Sequence, residues 1–143
     1  MSATSAVCLA LALVAAQAAP APATSFRARL SPVPVESSNA AKVTGSGVVT
    51  ATLSGATLSI SGTFAGMKSA ATLAQIHMGQ RGVRGPVEFD LQFDKSPSGT
   101  ITGTITLTKV QVDTLRRGWY YIQIHAQDAP DGNLWGWLLA TPS

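Results

Sequence analysis

Residues 87–94 read Val-Glu-Phe-Asp-Leu-Gln-Phe-Asp, with apolar and polar side chains alternating at every position. Successive side chains of a β-strand point to opposite faces, so this pattern gives a strand one buried face and one solvent-facing face. Shorter runs of the same kind recur along the chain and are separated by glycine- and proline-containing turns. The sequence therefore predicts an all-β fold, an antiparallel β-sandwich or Greek-key barrel of seven to eight strands with one short helix.

The remaining strands are predicted from the same alternation. They centre on residues 26–30, 46–53, 58–64, 73–78, 101–107, 119–125 and 134–139. The helix is predicted to begin after Thr108, a good N-cap residue, and to end at Gly118. A tight turn is predicted over Asp128–Gly132, because Pro-Asp-Gly favours chain reversal.

The N-terminal residues have the pattern of an export signal. An apolar run from Val7 to Ala16 is too short to span a bilayer and is followed by the small-x-small sequence Ala16-Gln17-Ala18. We therefore expect a signal peptide over residues 1–18, a linker over 19–25 and a β domain over 26–140. The mature protein is expected to be secreted or periplasmic, with no membrane span.

Charge and cysteine content restrict the possible functions. The single cysteine, Cys8, lies inside the apolar run, so the mature chain would have neither a disulfide nor thiolate chemistry. The formal charge of +3 comes from basic residues scattered among seven acids, which does not indicate a nucleic-acid-binding surface. No nucleophile motif is present, and the sequence predicts no enzyme activity.

Two stretches share the sequence Gln-Ile-His, at residues 75–77 and 123–125, and they contain the only two histidines. In each stretch Gln and His share one strand face while Ile takes the other, which we assign to the core. The same alternation collects an outer face rich in aromatic, Gln and His side chains. Its members are Gln75, His77, Trp119, Tyr121, Gln123, His125, Trp135 and Trp137.

Two interpretations of this outer face stay open. The helix, the proline loop or the N-terminal arm covers it as a small second core, in which Gln and His bond to backbone groups. Alternatively it binds an extracytoplasmic protein or polymer, since large exposed apolar patches usually mark an interface.

A metal site is a further alternative. Directly opposed histidines on paired strands are close enough to bind one zinc or copper ion, which makes His77 and His125 candidate ligands. Two histidines fall short of the usual ligand number, and Asp128 and Asp131 are the nearest further candidates by sequence. Capping the Pro-Asp-Gly turn is the stronger explanation for both aspartates.

The glycine-rich loop Gly79–Pro86 is predicted to be a mobile surface connection. It contains Arg81 and Arg84, which are suited to anions, but no helix follows it to form a phosphate cradle.

Several motifs in fixed order resemble those of the CHRD domain, which is named after chordin and also occurs in single-domain exported bacterial proteins. They are Phe26-x-Ala28-x-Leu30, Ala74-Gln75-Ile76-His77-Met78-Gly79, Gly85-Pro86-Val87, Leu107-Thr108-x-x-Gln111-Val112-x-x-Leu115-x-x-Gly118, Trp119-Tyr120-x-x-Ile124-His125 and Ala129-Pro130-Asp131-Gly132-Asn133-Leu134-x-Gly136-x-Leu138.

The resemblance covers residues 26–138 and implies an extracytoplasmic all-β domain with His77 and His125 at the family's two histidine positions. It implies a binding role, since chordin binds growth factors, and no enzyme activity. The chain departs from the family pattern at Trp135 and Trp137, where Arg and Gln are common, and at Asn133, where Glu is usual. An aromatic contact surface is therefore favoured.

Overall fold

The computed structural model describes residues 23–142. Within them lie ten strands and one helix. In chain order these are β1 (Thr24–Pro32), β2 (Ser46–Ser54), β3 (Thr57–Ala65), β4 (Ala71–Met78), β5 (Val87–Asp90), β6 (Gln92–Phe93), β7 (Gly99–Thr106), α1 (Lys109–Arg116), β8 (Tyr120–Ala126), β9 (Ala129–Trp137) and β10 (Leu139–Ala140).

The predicted signal peptide, residues 1–18, lies outside the described residues, as does the linker up to residue 22. The first strand begins at Thr24, two positions before the boundary expected from alternation. Between residues 23 and 142, no helix has the length and apolar character needed to cross a membrane.

The strands form a nearly closed antiparallel barrel. Their hydrogen-bonded order is β5-β4-β8-β9-β1-β2-β3-β7-β6, with β10 beside β1. The two strands at the ends of this order, β5 and β6, follow each other in the chain and are separated only by Leu91. The chain itself thus joins the two ends of the sheet, and few strand edges remain open.

The all-β antiparallel class is confirmed, but the predicted count of seven to eight strands is too low. Residues 87–94 form two strands, because β5 bonds to β4 whereas β6 bonds to β7. The end of the chain likewise gives two strands, β9 and β10, separated by Leu138. Alternation of side chains continues across both breaks, so it does not reveal the change of partner strand.

Leu91 lies at the point where the chain passes from one side of the barrel to the other. Its N–H donates to the carbonyl of Ala74 on β4 at 2.9 Å, and its side chain is 6% exposed. One residue later, Gln92 pairs with Thr102 on β7. Leu91 therefore contributes both a hydrogen bond and an apolar side chain to the closure.

The barrel interior contains most of the residues that alternation assigned to it. Val87, on the apolar face of residues 87–94, is an exception and is 48% exposed. The inward side chains of β4 and β8, together with two leucines at the end of the chain, are fully buried: Ile76, Ile122, Ile124, Leu134 and Leu138. They join one continuous cluster with the inward residues of β1, among them Phe26 and Leu30. Because one face of each strand packs in this core, the opposite face of β4, β8 and β9 must contact either solvent or another part of the chain.

The helix forms as predicted. The Thr108 hydroxyl accepts a hydrogen bond from the Gln111 N–H at 3.2 Å, and the Gln111 side chain accepts one from the Thr108 N–H at 2.9 Å. This reciprocal capping box satisfies two backbone donors at the start of the helix. Leu115 anchors the helix in the core, and Gly118, with φ of +72°, ends the segment.

The predicted turn over Asp128–Gly132 is wrong. The chain reverses at residues 127–128, and β9 already begins at Ala129, which pairs with Ala126. Tertiary contacts override the local turn preference, because Ala129 and Asn133 are buried and the Asn133 amide donates to the Thr44 carbonyl at 2.8 Å. The carbonyls of Pro130 and Asp131 consequently face the outer surface of β8.

Shortening Leu91 to Ala should weaken the closure. A buried Leu→Ala substitution removes apolar contacts and leaves a cavity, so we expect the free energy of unfolding to fall by about 2–5 kcal/mol. Urea denaturation measures the change. Leu73→Ala is the matched control, because Leu73 is 45% exposed and the loss there should be about 1 kcal/mol or less. Equal losses at the two positions would contradict the assigned role of Leu91.

Candidate functional site

The register of β4, β8 and β9 places the outer-face residues in adjacent rows. Gln75 lies opposite Gln123, and His77 lies opposite Tyr121. On the other side of β8, Tyr121 lies opposite Trp137 and Gln123 opposite Trp135. Seven of the eight residues selected from the sequence therefore share one continuous face, and these seven are called the outer cluster: Gln75, His77, Tyr121, Gln123, His125, Trp135 and Trp137.

The two histidines project from neighbouring strands onto one face, as predicted, although they are not directly opposed. His77 pairs with Tyr121, and His125 pairs with Leu73. Their imidazole rings nevertheless converge over the sheet, with centroids 6.2 Å apart and planes inclined by 29°. The Tyr121 ring also stacks with His77, with a centroid separation of 5.0 Å.

The loop Gly79–Pro86, the covering loop, packs over the outer cluster. The Gly85 carbonyl accepts a hydrogen bond from Nδ1 of His77 at 2.9 Å, and the Gly85 N–H donates to the Tyr121 hydroxyl at 2.9 Å. The Trp137 indole N–H donates to the Gly79 carbonyl at 2.9 Å. This anchored loop corrects the prediction of a mobile surface connection.

Gly85 is required where the covering loop passes β4. A Cβ atom at this position would lie 1.7 Å from the Met78 carbonyl oxygen. Any larger residue would push the loop away from His77 and Tyr121.

The covering loop buries the centre of the outer cluster. Tyr121 is 0% exposed, Gln123 2% and His77 7%. Trp135 and Trp137 stay half-buried at its margin. The face is thus in part a second core, as one of the two interpretations predicted, although its cover is the glycine-rich loop, while the proline loop lines a cleft beside His125.

Hydrogen bonds fix the protonation pattern of both imidazoles. Nδ1 of His77 lies 2.9 Å from the Gly85 carbonyl, and Nδ1 of His125 lies 2.7 Å from the Pro130 carbonyl. A carbonyl only accepts, so each Nδ1 carries the proton and each Nε2 of the neutral ring presents a lone pair. Both Nε2 atoms are buried, and neither has a hydrogen-bond partner within the described part of the protein.

The site favours the neutral form of His77. Burial lowers the pKa of His77 below its ordinary value of 6.5, and the nearby His125 and Arg84 lower it further, while the hydrogen bond to Gly85 opposes them. A buried imidazole with a free lone pair at neutral pH is an available ligand for a metal ion or an acceptor for a donor group.

The depressed pKa of His77 should make the metal-free protein less stable in mild acid. Between pH 6.5 and the lower folded-state pKa, the unfolded chain binds the proton more readily, so stability is complete above pH 6.5 and falls as pH decreases. Urea midpoints of the EDTA-treated protein at about pH 7.5 and 5.5 measure this loss. His77→Asn, which keeps an amide donor for Gly85, should show a smaller loss; an equal loss would exclude His77 as its source.

The family model of the CHRD domain matches residues 26–138 of this chain. The chain belongs to the CHRD family. The match covers essentially all of the described residues and confirms the resemblance seen in the sequence motifs. Comparison with curated proteins and comparison with solved structures each gave no significant match.

Trp119 is the one candidate residue that the CHRD domain does not bring into the outer cluster. It precedes β8, and its ring contacts the Arg117 guanidinium, which lies 5.3 Å from the ring centroid. Its backbone carbonyl accepts a hydrogen bond from the Gly79 N–H at 2.8 Å. Trp119 thus supports the start of the covering loop through its backbone.

The two glutamines of the outer cluster are used in internal hydrogen bonds. Gln75 donates to the Asp90 carboxylate at 2.8 Å, and Gln123 donates to the Asp131 carbonyl at 3.0 Å. Within residues 23–142, no three His, Cys, Asp or Glu side chains are grouped closely enough to hold a metal ion. Asp128 and Asp131 therefore do not complete a three-ligand site with the histidines.

Arg84 and Gly85 also belong to the site, although strand alternation does not place them on the outer face. The Arg84 guanidinium donates to the Asp131 carbonyl at 2.8 Å and lies 5.8 Å from the Trp135 ring centroid. It links the covering loop to β9. The only sequence signal for this role was the presence of two arginines in a glycine-rich loop next to an aromatic strand.

Removing the Tyr121 hydroxyl should loosen the covering loop. Tyr121→Phe removes the hydroxyl that accepts the Gly85 N–H, and an unpaired buried donor costs about 1–3 kcal/mol. The loop should therefore open at least roughly tenfold more often. Limited trypsin cleavage at Arg81 and Arg84 measures this opening. The control is Tyr120→Phe, whose ring packs against Phe89 elsewhere. Equal cleavage rates in the two variants would show that Tyr121 does not hold the loop.

Proposed function

We propose that this CHRD domain is an extracytoplasmic, non-catalytic binding module whose principal ligand is one copper ion held between His77 and His125. The observation that supports this proposal most directly is the pair of buried Nε2 atoms on converging rings, both without a hydrogen-bond partner in residues 23–142. Buried polar atoms are otherwise nearly always paired, so two such atoms at one place point to a ligand.

The spacing of the rings suits a shared ion. Imidazole nitrogen binds zinc or copper-sized ions at about 2.0–2.1 Å, which places the ring centroid about 3 Å from the metal. Two rings that share one ion therefore have centroids up to about 6 Å apart. The observed centroid separation of 6.2 Å lies at about this limit.

The surroundings of the rings favour metal binding over proton binding. Histidine ligands commonly donate their second N–H to a carbonyl or carboxylate, which orients the ring and raises its basicity toward the metal. The Gly85 and Pro130 carbonyls do this for His77 and His125. Burial, which lowers the pKa of His77, keeps the competing proton away at neutral pH.

Two protein ligands leave further coordination positions for water or small anions. His125 lines a cleft of about 680 Å³ together with Glu36, Asn39, Arg84 and Asp131, so the site has a route to solvent. Zinc sites in proteins normally have three or four protein ligands. Copper is the better match, because Cu²⁺ binds more tightly than Zn²⁺ to a given set of nitrogen ligands.

Copper titration of the EDTA-treated domain tests the proposal. We expect one Cu²⁺ per chain, with an electron paramagnetic resonance spectrum that shows nitrogen coupling, and weaker binding of Zn²⁺. The double variant His77→Asn/His125→Asn keeps donors for the two carbonyls but removes both Nε2 atoms. The double variant should bind copper at least about 100-fold more weakly, because even the hydrogen-bond partners of a metal ligand contribute about 10- to 100-fold to metal affinity.

Gln75→Asn is the matched control for copper binding, because it shortens another side chain of the outer cluster without removing an imidazole. It should bind copper as the unaltered domain does. Equal copper uptake by the double histidine variant and the unaltered domain would overturn the metal proposal.

A second candidate function is recognition of a macromolecule at the margin of the outer cluster. Trp135 and Trp137 are half-buried, whereas the solvent-facing positions of β3 and β7 hold mainly Thr and Ser. The centroids of the two indole rings lie 4.8 Å apart, with planes inclined by 67°. Adjacent, partly exposed tryptophans are typical of binding surfaces, where they supply apolar area together with an N–H donor. This observation supports the binding of an extracytoplasmic protein or polymer.

A further inference from the structure

A groove of about 430 Å³ runs along the outer surface where β9 meets β1 and the C-terminal residues. Its walls include the two tryptophans of the outer cluster, Trp135 and Trp137, and three arginines. Arg27 and Arg29 come from β1, and Arg81 comes from the covering loop. The groove therefore combines an aromatic wall with guanidinium groups from two separate parts of the chain.

The arginines of β1 project outward because of strand alternation. Phe26, Ala28 and Leu30 occupy the core, so Arg27 and Arg29 both point to solvent with Cα atoms about 7 Å apart. Ser31, next in the same row, lies opposite Trp135. The row of outward side chains on β1 thus continues directly into the tryptophan-bearing face of β9.

The groove has no acidic lining residue. All seven acidic residues of the sequence lie within the described range, and none of them is among its walls. The residues paired with Arg27 and Arg29 on the neighbouring strands are Thr50, Leu139 and Val48, none of which carries charge. The three guanidinium groups are therefore not neutralised by the groove itself and create a positive potential along it.

We propose that this groove binds an acidic polysaccharide. Arginine forms bidentate hydrogen bonds with carboxylate and sulfate-like oxygens, and several arginines along a line match a polymer with repeated anionic groups. Sugar rings also present apolar C–H faces, which pack on partly exposed indole rings such as Trp135 and Trp137. An open groove with both features recognises the charge and the ring of an acidic sugar together.

An acidic peptide fits the same groove less well. Extended peptides usually gain affinity by adding a strand to an open sheet edge. Here β9 is already paired with β8 and β1, and β1 is paired with β2, β9 and β10. The groove thus offers side chains rather than unpaired main-chain groups, which favours a polysaccharide over a peptide.

This inference rests on the second proposed function, polymer binding at the tryptophans, and is independent of the metal site. Binding is measured by tryptophan fluorescence in a Trp119→Phe background, so that the emission comes from Trp135 and Trp137. The probes are alginate oligomers as an acidic polysaccharide, dextran as a neutral one and poly-glutamate as an acidic polypeptide. We expect alginate to bind, with an affinity that falls as salt concentration rises, and dextran and poly-glutamate to bind at least about tenfold more weakly.

Two exposed-residue variants provide the matched comparison. Arg27→Gln/Arg29→Gln should weaken alginate binding by about tenfold or more, because it removes two charge-assisted contacts. Lys68→Gln/Lys95→Gln makes the same change in net charge on loops away from the groove and should leave alginate binding unchanged. Equal weakening by both pairs would overturn the groove as the site.

The outcomes also separate this inference from polymer binding in general. If dextran binds as tightly as alginate and Trp137→Phe weakens both, polymer binding stands and the acidic specificity is overturned. If poly-glutamate binds as tightly as alginate, the choice of a polysaccharide is overturned. If none of the probes binds, the inference is overturned, and of the second proposed function only the binding of a protein partner remains.

Discussion

Closure of the barrel depends on one short connection, in which the chain changes hydrogen-bond partner within three residues. Asp90 pairs with Gln75 on β4, Leu91 bonds to Ala74, and Gln92 pairs with Thr102 on β7. This segment belongs to both sides of the barrel, so each side limits the position of the other. The fixed curvature that results holds β4, β8 and β9 side by side and presents their outer face as one surface.

The outer face then requires its own cover, because a strand can bury only one of its faces in the barrel. Large side chains such as Tyr121 and Trp137 would expose a wide apolar area if the face were left open. The covering loop resolves this by bringing backbone carbonyls to polar tips: Gly85 to His77, and Gly79 to Trp137. The hydrogen bond from His77 to this loop uses Nδ1 and leaves Nε2 buried without a partner among residues 23–142, which is the arrangement that the proposed metal site requires.

Much of this arrangement was predictable from alternation alone. The period of two placed Ile76, Ile122 and Ile124 in the core and collected most of the aromatic and histidine residues on the opposite face, as the structure confirms. Local signals also sufficed for the helix, because the Thr108 cap is formed by neighbouring residues. These features depend on side-chain direction and nearest neighbours, which a single sequence contains.

Other features could not be derived because they depend on distant backbone atoms. The covering loop contacts the cluster mainly through glycine main-chain groups, which have no side-chain pattern to recognise. The offset between His77 and His125 along the paired strands could not be derived, because strand register is set by the whole sheet, while the approach of the two rings depends on side-chain reach. The expected turn at Asp128–Gly132 failed for a related reason: pairing with β8 extends the strand through residues that favour a turn locally.

The covering loop has a consequence for sequence variation in this domain. Its hydrogen bonds to His77, Tyr121 and Trp137 all use main-chain atoms of Gly79 and Gly85, at its two ends. Of the intervening positions, Gln80 and Val83 are solvent-exposed and lie outside the proposed groove, so their side chains are free to diversify while the anchoring points stay constant. A segment of this kind is suited to insertion or randomisation, in the way that hypervariable loops are grafted onto a constant framework.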